Sequence, residues 1–192
     1  MMYGKNSDSR HTLNRIPPHS VGVEIGVWQG DSSARFLTRA SHLHLVDSWS
    51  PVPYTHSDEH GTYQNYLKRY SQLVGSEDPA DFQKYYDKIY RSVVKRFHDL
   101  PVTIHRKSST EFFDSFDQKV DWVYVDGDHS YQGCLADLRN CLRIVKPGGQ
   151  ILGDDYTNKP GVRRAVDTFV AETGLELNNF YGTQYEICTP VV

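Results

Sequence analysis

A chain of 192 residues and 22.0 kDa is sized for one domain, long enough to bury a core without disulfides or a structural metal. Its net charge of -3 and pI near 6.3 leave no surplus of basic residues to neutralise nucleic-acid phosphates, so a small-molecule partner is expected and nucleic acid is not. Three cysteines, an odd set, fit free thiols in a reducing cytoplasm, and the lack of an apolar leader or of eighteen consecutive apolar residues speaks against export and against a membrane span.

Residues 1–20 are polar, with Pro17 and Pro18 near their end, and read as an arm leading into a single domain over 21–192. The apolar run at 21–25 predicts a first strand. A glycine-flanked turn follows, and DSSARFLTRA (31–40) predicts a helix capped by Ser32 or Ser33 that buries Leu37. LHLV (43–46) is a second strand, stopped by Asp47. PVTIH (101–105) is a third, leading into SSTEFFDSF with a cap at Ser108 or Ser109, and DWVYVD (121–126) is a fourth. Next, Tyr131, Cys134, Leu135, Leu138, Cys141, Leu142 and Val145 recur at the spacing of a helix with one apolar face. Pro147-Gly148-Gly149 turns that helix into a fifth strand, QILG (150–153). Pro160 suits the first turn of a further helix with Val162, Ala165, Val166, Phe169 and Val170 facing inward, and the runs at 175–180 and 184–188 predict a closing hairpin.

One segment breaks the rhythm. Residues 50–99 are about twice the length of a crossover and carry Tyr54, Tyr63, Tyr66, Tyr70, Tyr85, Tyr86 and Tyr90. Residues 79–98 predict one long helix and the remainder a loop or second helix. Tyrosines have apolar faces and polar tips, so here they could line a substrate mouth, form a dimer contact, or simply cover the sheet half-exposed.

Strand and helix in alternation predict an α/β fold, a mostly parallel sheet with helices on both faces, because parallel neighbours need crossovers. Such sheets bind ligands beyond the carboxyl ends of their strands. At the first such end, GVEIGVWQGD (22–31) sets Glu24, Gly26 and Gly30 around a turn where backbone can approach a ligand closely. The spacing departs from G-x-G-x-x-G, and an acidic Glu24 would repel a pyrophosphate but attract an ammonium group, so NAD is disfavoured. Asp47, ending the second strand, is placed to accept ribose hydroxyls; with the glycine loop it implies a nucleoside-like ligand across adjacent strands. Two acidic motifs follow, VYVDGDHSY (123–131) and GDDY (153–156). They could hold a metal, supply a nucleophile, or only shape turns, since DG and DD are ordinary turn chemistry.

Taken in order, EIGVWQG (24–30), Asp47, VYVDGDHSY and LRIVKPGGQILGDDY (142–156) resemble the motifs of class I S-adenosylmethionine-dependent methyltransferases over about residues 20–190. They look most like a small branch with a D-G-x-H-[ST]-Y segment, related to metal-dependent sugar O-methyltransferases. The resemblance implies a Rossmann-like, doubly wound, seven-stranded sheet, mostly parallel, with an antiparallel C-terminal hairpin. It also implies that Glu24, Gly26 and Gly30 lie along the methionine part of the cofactor, Asp47 on its ribose and Ser108 or Ser109 near its adenine. The family's strand order makes the fourth and fifth strands neighbours, about 4.8 Å apart, so Asp126 and Asp154 crowd one rim. Like charges about 5 Å apart repel by roughly 3 kcal/mol at an effective dielectric near 20, which calls for a cation or a proton. In the resembling enzymes the matching acids, here Asp126, Asp154 and Asp155, hold a divalent ion, and Mg2+ is expected, with Asp126 also bordering the cofactor. Asp128 then takes the acceptor's proton, with His129 as competitor for that role. The implied activity is O-methylation of a small molecule, a sugar or glycoside before a catechol-like phenol, with a homo-oligomer left open.

Two other classes compete. The D-x-D within VDGDHS also fits the nucleophile of haloacid-dehalogenase-like phosphatases, but their nucleophile strand comes first in the chain, whereas three strands precede Asp126 here. The other is a cofactor-binding scaffold without chemistry.

Overall fold

The computed structural model describes residues 9–51 and 62–191. Tyr54 and residues 1–8 of the expected arm lie outside the described residues. The elements in chain order are α1 (Ser9–Leu13), β1 (Val21–Ile25), α2 (Asp31–Phe36), β2 (His42–Asp47), α3 (Tyr63–Val74), α4 (Pro79–Arg96), β3 (Val102–Arg106), α5 (Ser109–Ser115), β4 (Val120–Val125), α6 (Tyr131–Ile144), β5 (Val145–Gly153), α7 (Pro160–Thr173), β6 (Leu177–Tyr181) and β7 (Gln184–Cys188).

The strands form one seven-stranded sheet in the order β3-β2-β1-β4-β5-β7-β6. The pairs from β3 to β5 are parallel, and β7 runs antiparallel to both β5 and β6. β1 lies between β2 and β4, the point where the winding reverses and where a crevice opens at the strands' carboxyl ends. Because the strands are covered on both faces, they read as short apolar runs rather than as strict alternations. One face packs Val23, Ile25, Val123, Val125 and Ile151 against α5, α6 and α7; the other packs Leu43, Leu45, Trp122 and Tyr124 against α2 and α4. Trp122 is wholly buried, and its indole N–H is satisfied by the Ser20 hydroxyl at 2.8 Å.

Four expectations change in detail. The described part of the arm is packed down: Ile16 is fully buried, the Thr12 N–H and hydroxyl both donate to Gln184 Oε1 at 3.1 and 2.8 Å, and His11 stacks on Tyr181. A polar stretch gives no sign of this, because its partners sit in the last hairpin. Second, α2 is capped by Gly30 rather than by Ser32 or Ser33 and ends at Phe36, which is the buried residue, while Leu37 is half-buried. Third, α6 stops at Ile144 and β5 begins at Val145, with Pro147-Gly148-Gly149 forming an irregularity in the strand's pairing; Leu142 faces solvent at 38 % exposure. Last, the hairpin's first strand begins at Leu177, two residues later than expected.

The tyrosine-rich segment folds, in its described part, as two helices. Thr62 caps α3 and Asp78 caps α4, whose Pro79 opens the first turn where a missing N–H costs nothing. α3 and α4 share a small core of Tyr66, Leu67 and Phe82, with the Tyr66 and Tyr86 hydroxyls 2.7 Å apart. α4 docks on the sheet through Ile89 and Val93, followed by Phe97. Arg106, ending β3, holds it from the side, pairing with Asp87 and lying 4.6 Å over the Tyr90 ring. Among the described residues no helix is long and apolar enough to cross a membrane. Cys134 and Cys141 are buried and Cys188 is exposed, all as free thiols.

Candidate active site

The parallel registers place Ile25 beside Val46 and Val125, and Val125 beside Gly153, so the residues that follow these strands share one rim. Four described non-glycine residues have positive φ: His19, Trp28, Trp49 and Asp155. Three of them stand just beyond β1, β2 and β5. Such conformations cost about 1–3 kcal/mol each and persist where surrounding contacts over-determine them. Here those contacts are visible. Asp47 Oδ2 accepts the Val27 and Trp28 N–H groups at 3.1 and 2.9 Å, its Oδ1 accepts the Trp49 N–H at 2.7 Å, and the Trp49 indole donates to the Trp28 carbonyl at 2.9 Å. Asp47 therefore knots together the loops after β1 and β2. Burial pushes its carboxyl upward, against the pull of those three N–H groups and of Arg106.

Gly26 has φ of 89°, and a Cβ there would sit 2.1 Å from the Asp126 carbonyl oxygen, so only glycine lets the β1 loop lie against the β4 loop. Gly30 is the left-handed N-cap of α2. Glu24 lies one residue inside the end of β1, buried to 1 % exposure, and accepts the Ser33 hydroxyl at 2.5 Å. Burial pushes its pKa up to about 8, opposed by the Ser33 hydrogen bond and reinforced by Asp126 and Asp47. After β3, Ser108 closes a reciprocal capping box with Glu111 at the start of α5, and Ser109 bonds Asp137. Asp137 is buried, and its pKa is raised to about 7 chiefly by that burial. The sequence offered a signal for Asp137: it stands three after Cys134 and four before Cys141, on the apolar side of α6.

Beyond β4 and β5, ligand atoms of Asp126, His129 and Asp155 lie within 4.8 Å of one another. His129 Nε2 is 3.4 Å from Asp126 Oδ1 and 3.2 Å from Asp155 Oδ2, and all three side chains are half-buried. Burial raises the Asp126 pKa to about 6, against the pull of His129. The rim expected from the sequence grouped Asp126 and Asp155 with Asp154, but Asp154 is not among the converging residues. Its Oδ1 accepts the Thr183 hydroxyl and the Asp155 N–H, the latter at 2.7 Å, because the turn between β6 and β7 brings Thr183 onto this corner. Asp128, expected as proton acceptor, turns toward the start of α6, where its Oδ1 accepts the Ser130 N–H at 2.8 Å. Two hollows elsewhere, one along α4 beside Arg91 and Lys95 and one beside Pro147, lie apart from this rim.

Residues 23–156 match the family model described as a methyltransferase domain. The chain belongs to that family. Its fold is the Rossmann-like fold of class I S-adenosylmethionine-dependent methyltransferases, and solved methyltransferases share it. The O-methyltransferase NovP superposes with a TM-score of 0.59 at 18% identity, over 95% of this chain and 78% of that one. The N-methyltransferase NodS from Bradyrhizobium japonicum WM9, in complex with S-adenosyl-L-homocysteine, gives 0.60 at 15% identity, over 94% and 86%. An uncharacterised protein of Acanthamoeba polyphaga mimivirus is 31% identical over 114 residues, which are 55% of this chain and 51% of that protein. The chain thus spans about half the length of the curated relative it matches.

Within this family frame the structure brings the expected Glu24, Gly26, Asp47 and Asp126 together on the β2-β1-β4 edge, with Gly30 starting α2 behind them and Ser108 and Ser109 at the next strand end. Trp28, Trp49, Arg106, Asp137 and Thr183 also shape the site; only Asp137, an acid on the apolar side of α6, carries a signal in the sequence.

Proposed function

We propose that the protein transfers a methyl group from S-adenosylmethionine to a hydroxyl of a small molecule, a sugar or glycoside first, assisted by a divalent cation such as Mg2+. One observation carries this reading: two differently built sites adjoin at the switch point. On the β1–β2 side Asp47 knots the loops, and on the β4–β5 side Asp126, His129 and Asp155 converge. Membership of a methyltransferase-domain family supports it, as does a fold shared with an O-methyltransferase.

The residues present suit the cofactor's chemistry. Asp47 offers a carboxylate to ribose hydroxyls, Glu24 is a buried acid that a nearby ammonium group would draw into its ionised form, and the α5 start, with Ser108 and Ser109, would border the base. S-adenosylmethionine, when bound, supplies a methyl group already activated by its sulfonium, so the chain's work is to position the acceptor oxygen and exclude water. The rim suits a divalent cation too, because two carboxylate oxygens and an imidazole nitrogen converge there. Such an ion would polarise an acceptor hydroxyl and lower its pKa. Asp128, two residues after Asp126, is the proposed proton acceptor, although its Oδ1 accepts the Ser130 N–H at the start of α6.

The test incubates the protein with labelled S-adenosylmethionine, Mg2+ and a panel of glycosides, catechols and amines. Label is expected on a hydroxyl, with EDTA abolishing transfer and Asp126→Asn lowering kcat/KM by about 100-fold. Transfer to amines alone, or transfer indifferent to both EDTA and Asp126→Asn, would sink the reading.

A further inference from the structure

We infer that His129 is itself a ligand of the rim's cation and that the site prefers a first-row transition-metal ion, Co2+ or Mn2+, over Mg2+. The inference rests on the cation-assisted reading above and deepens it. Its first support is distance. Two ligands each about 2.1 Å from one ion stand about 3.0 Å apart at a right angle and about 3.4 Å apart at the tetrahedral angle. His129 Nε2 is 3.4 Å from Asp126 Oδ1 and 3.2 Å from Asp155 Oδ2, the spacing of neighbours in one coordination shell.

The donor set is the second support. Mg2+ is a hard ion that takes oxygen and keeps its waters, whereas imidazole suits the later first-row ions, whose affinity rises from Mn2+ to Co2+. An all-oxygen rim would have needed Asp154, which is not among the converging residues: its Oδ1 is taken by the Thr183 hydroxyl and the Asp155 N–H, although its charge is still felt at Asp126. Asp154 is accordingly a positioning residue, holding the left-handed corner at Asp155.

The imidazole's loop is fixed as well. Asp128 and Ser130 tie it to the start of α6 through the Ser130 and Gly133 N–H groups. From the other side α7 packs so closely that a Cβ on Gly161 would lie 2.3 Å from the His129 carbonyl oxygen. A ring on backbone held from two sides is presented to the rim without an ordering cost at binding.

The experiment measures affinity of the metal-free protein for Co2+, Mn2+ and Mg2+ by calorimetry, with the visible spectrum of Co2+ as an independent report of nitrogen ligation. No methyl transfer is involved, so failure here and failure of the methyltransferase reading are told apart. The expected order is Co2+ tighter than Mn2+ and Mn2+ tighter than Mg2+. His129→Ala should weaken Co2+ by about tenfold or more and change its spectrum, while Mg2+ shifts far less, and Asp154→Asn should cost Co2+ binding less than His129→Ala does. His129→Gln, with a thermal midpoint recorded for each variant, covers the case in which His129→Ala does not fold. Equal affinities for the three ions, no binding of any, or Co2+ affinity and spectrum unchanged when His129 is replaced would each overturn the inference.

Discussion

Glu24 is costly where it stands. The unfolded chain releases this proton near pH 4.5, while the folded chain holds it to about 8. Between those values the folded state binds more protons, so stability falls as pH rises and the whole cost is present above pH 8. Glu24→Gln is therefore expected to raise the thermal midpoint at pH 8 by an amount worth a few kcal/mol, to make no difference near pH 4.5, and to weaken S-adenosylmethionine binding. Equal midpoints at pH 8 would contradict the assignment.

His44 has the opposite sign. It is buried beside His105, the Nδ1 of one ring 3.1 Å from the Nε2 of the other, and burial with the charges of His42 and His105 depresses its pKa from 6.5 to about 4. The stability this lends is complete above pH 6.5 and is lost as pH falls toward 4, on the order of 3 kcal/mol. Urea denaturation across that window should show the slope in the native chain and a flatter one in His44→Leu.

At the scale of elements, α6 combines a polar start with an apolar face. Ser130 caps it, and Cys134, Leu135, Leu138, Cys141 and Ile144 are buried against β4, β5 and α7. Leu138 is wholly enclosed, so Leu138→Ala should cost about 2–5 kcal/mol, read as a shift of the denaturation midpoint without a change of slope. This helix was legible in advance because its apolar spacing is regular. The cap of α5 was half-legible: Glu111, three residues after Ser108, marks a capping box and favours Ser108 over Ser109. The α3–α4 pair was harder to read, since one of the contacts that hold it, Arg106, is a residue of another element. Arg106→Ala should loosen α4 from the sheet, seen as faster amide exchange across Pro79–Arg96 with β1 and β4 unchanged.

For the whole molecule, the five parallel strands and the closing hairpin were readable as short apolar-leaning runs, because most of their positions pack into the core and the few buried polar residues, such as Glu24 and His44, are isolated within them. The strand order was not in the runs themselves but in the order of the motifs. What stayed hidden shares one cause, contact between distant parts of the chain. The way Asp154 faces depends on Thr183, the packing of α1 on Gln184 and the strained Trp28 on Asp47. Residue types at the rim could be listed from the sequence, yet their division of labour is decided by partners far along the chain.

The Asp154–Thr183 bond bears on the timing of folding. Thr183 sits in the turn of the final antiparallel pair, and its carbonyl also accepts the Tyr156 N–H. The acidic corner can thus take its working shape only once that last ribbon has zipped onto β5. During synthesis the β1–β2 side, where Asp47 ties its loops, can form before that corner does, because every residue of the ribbon follows it in the chain.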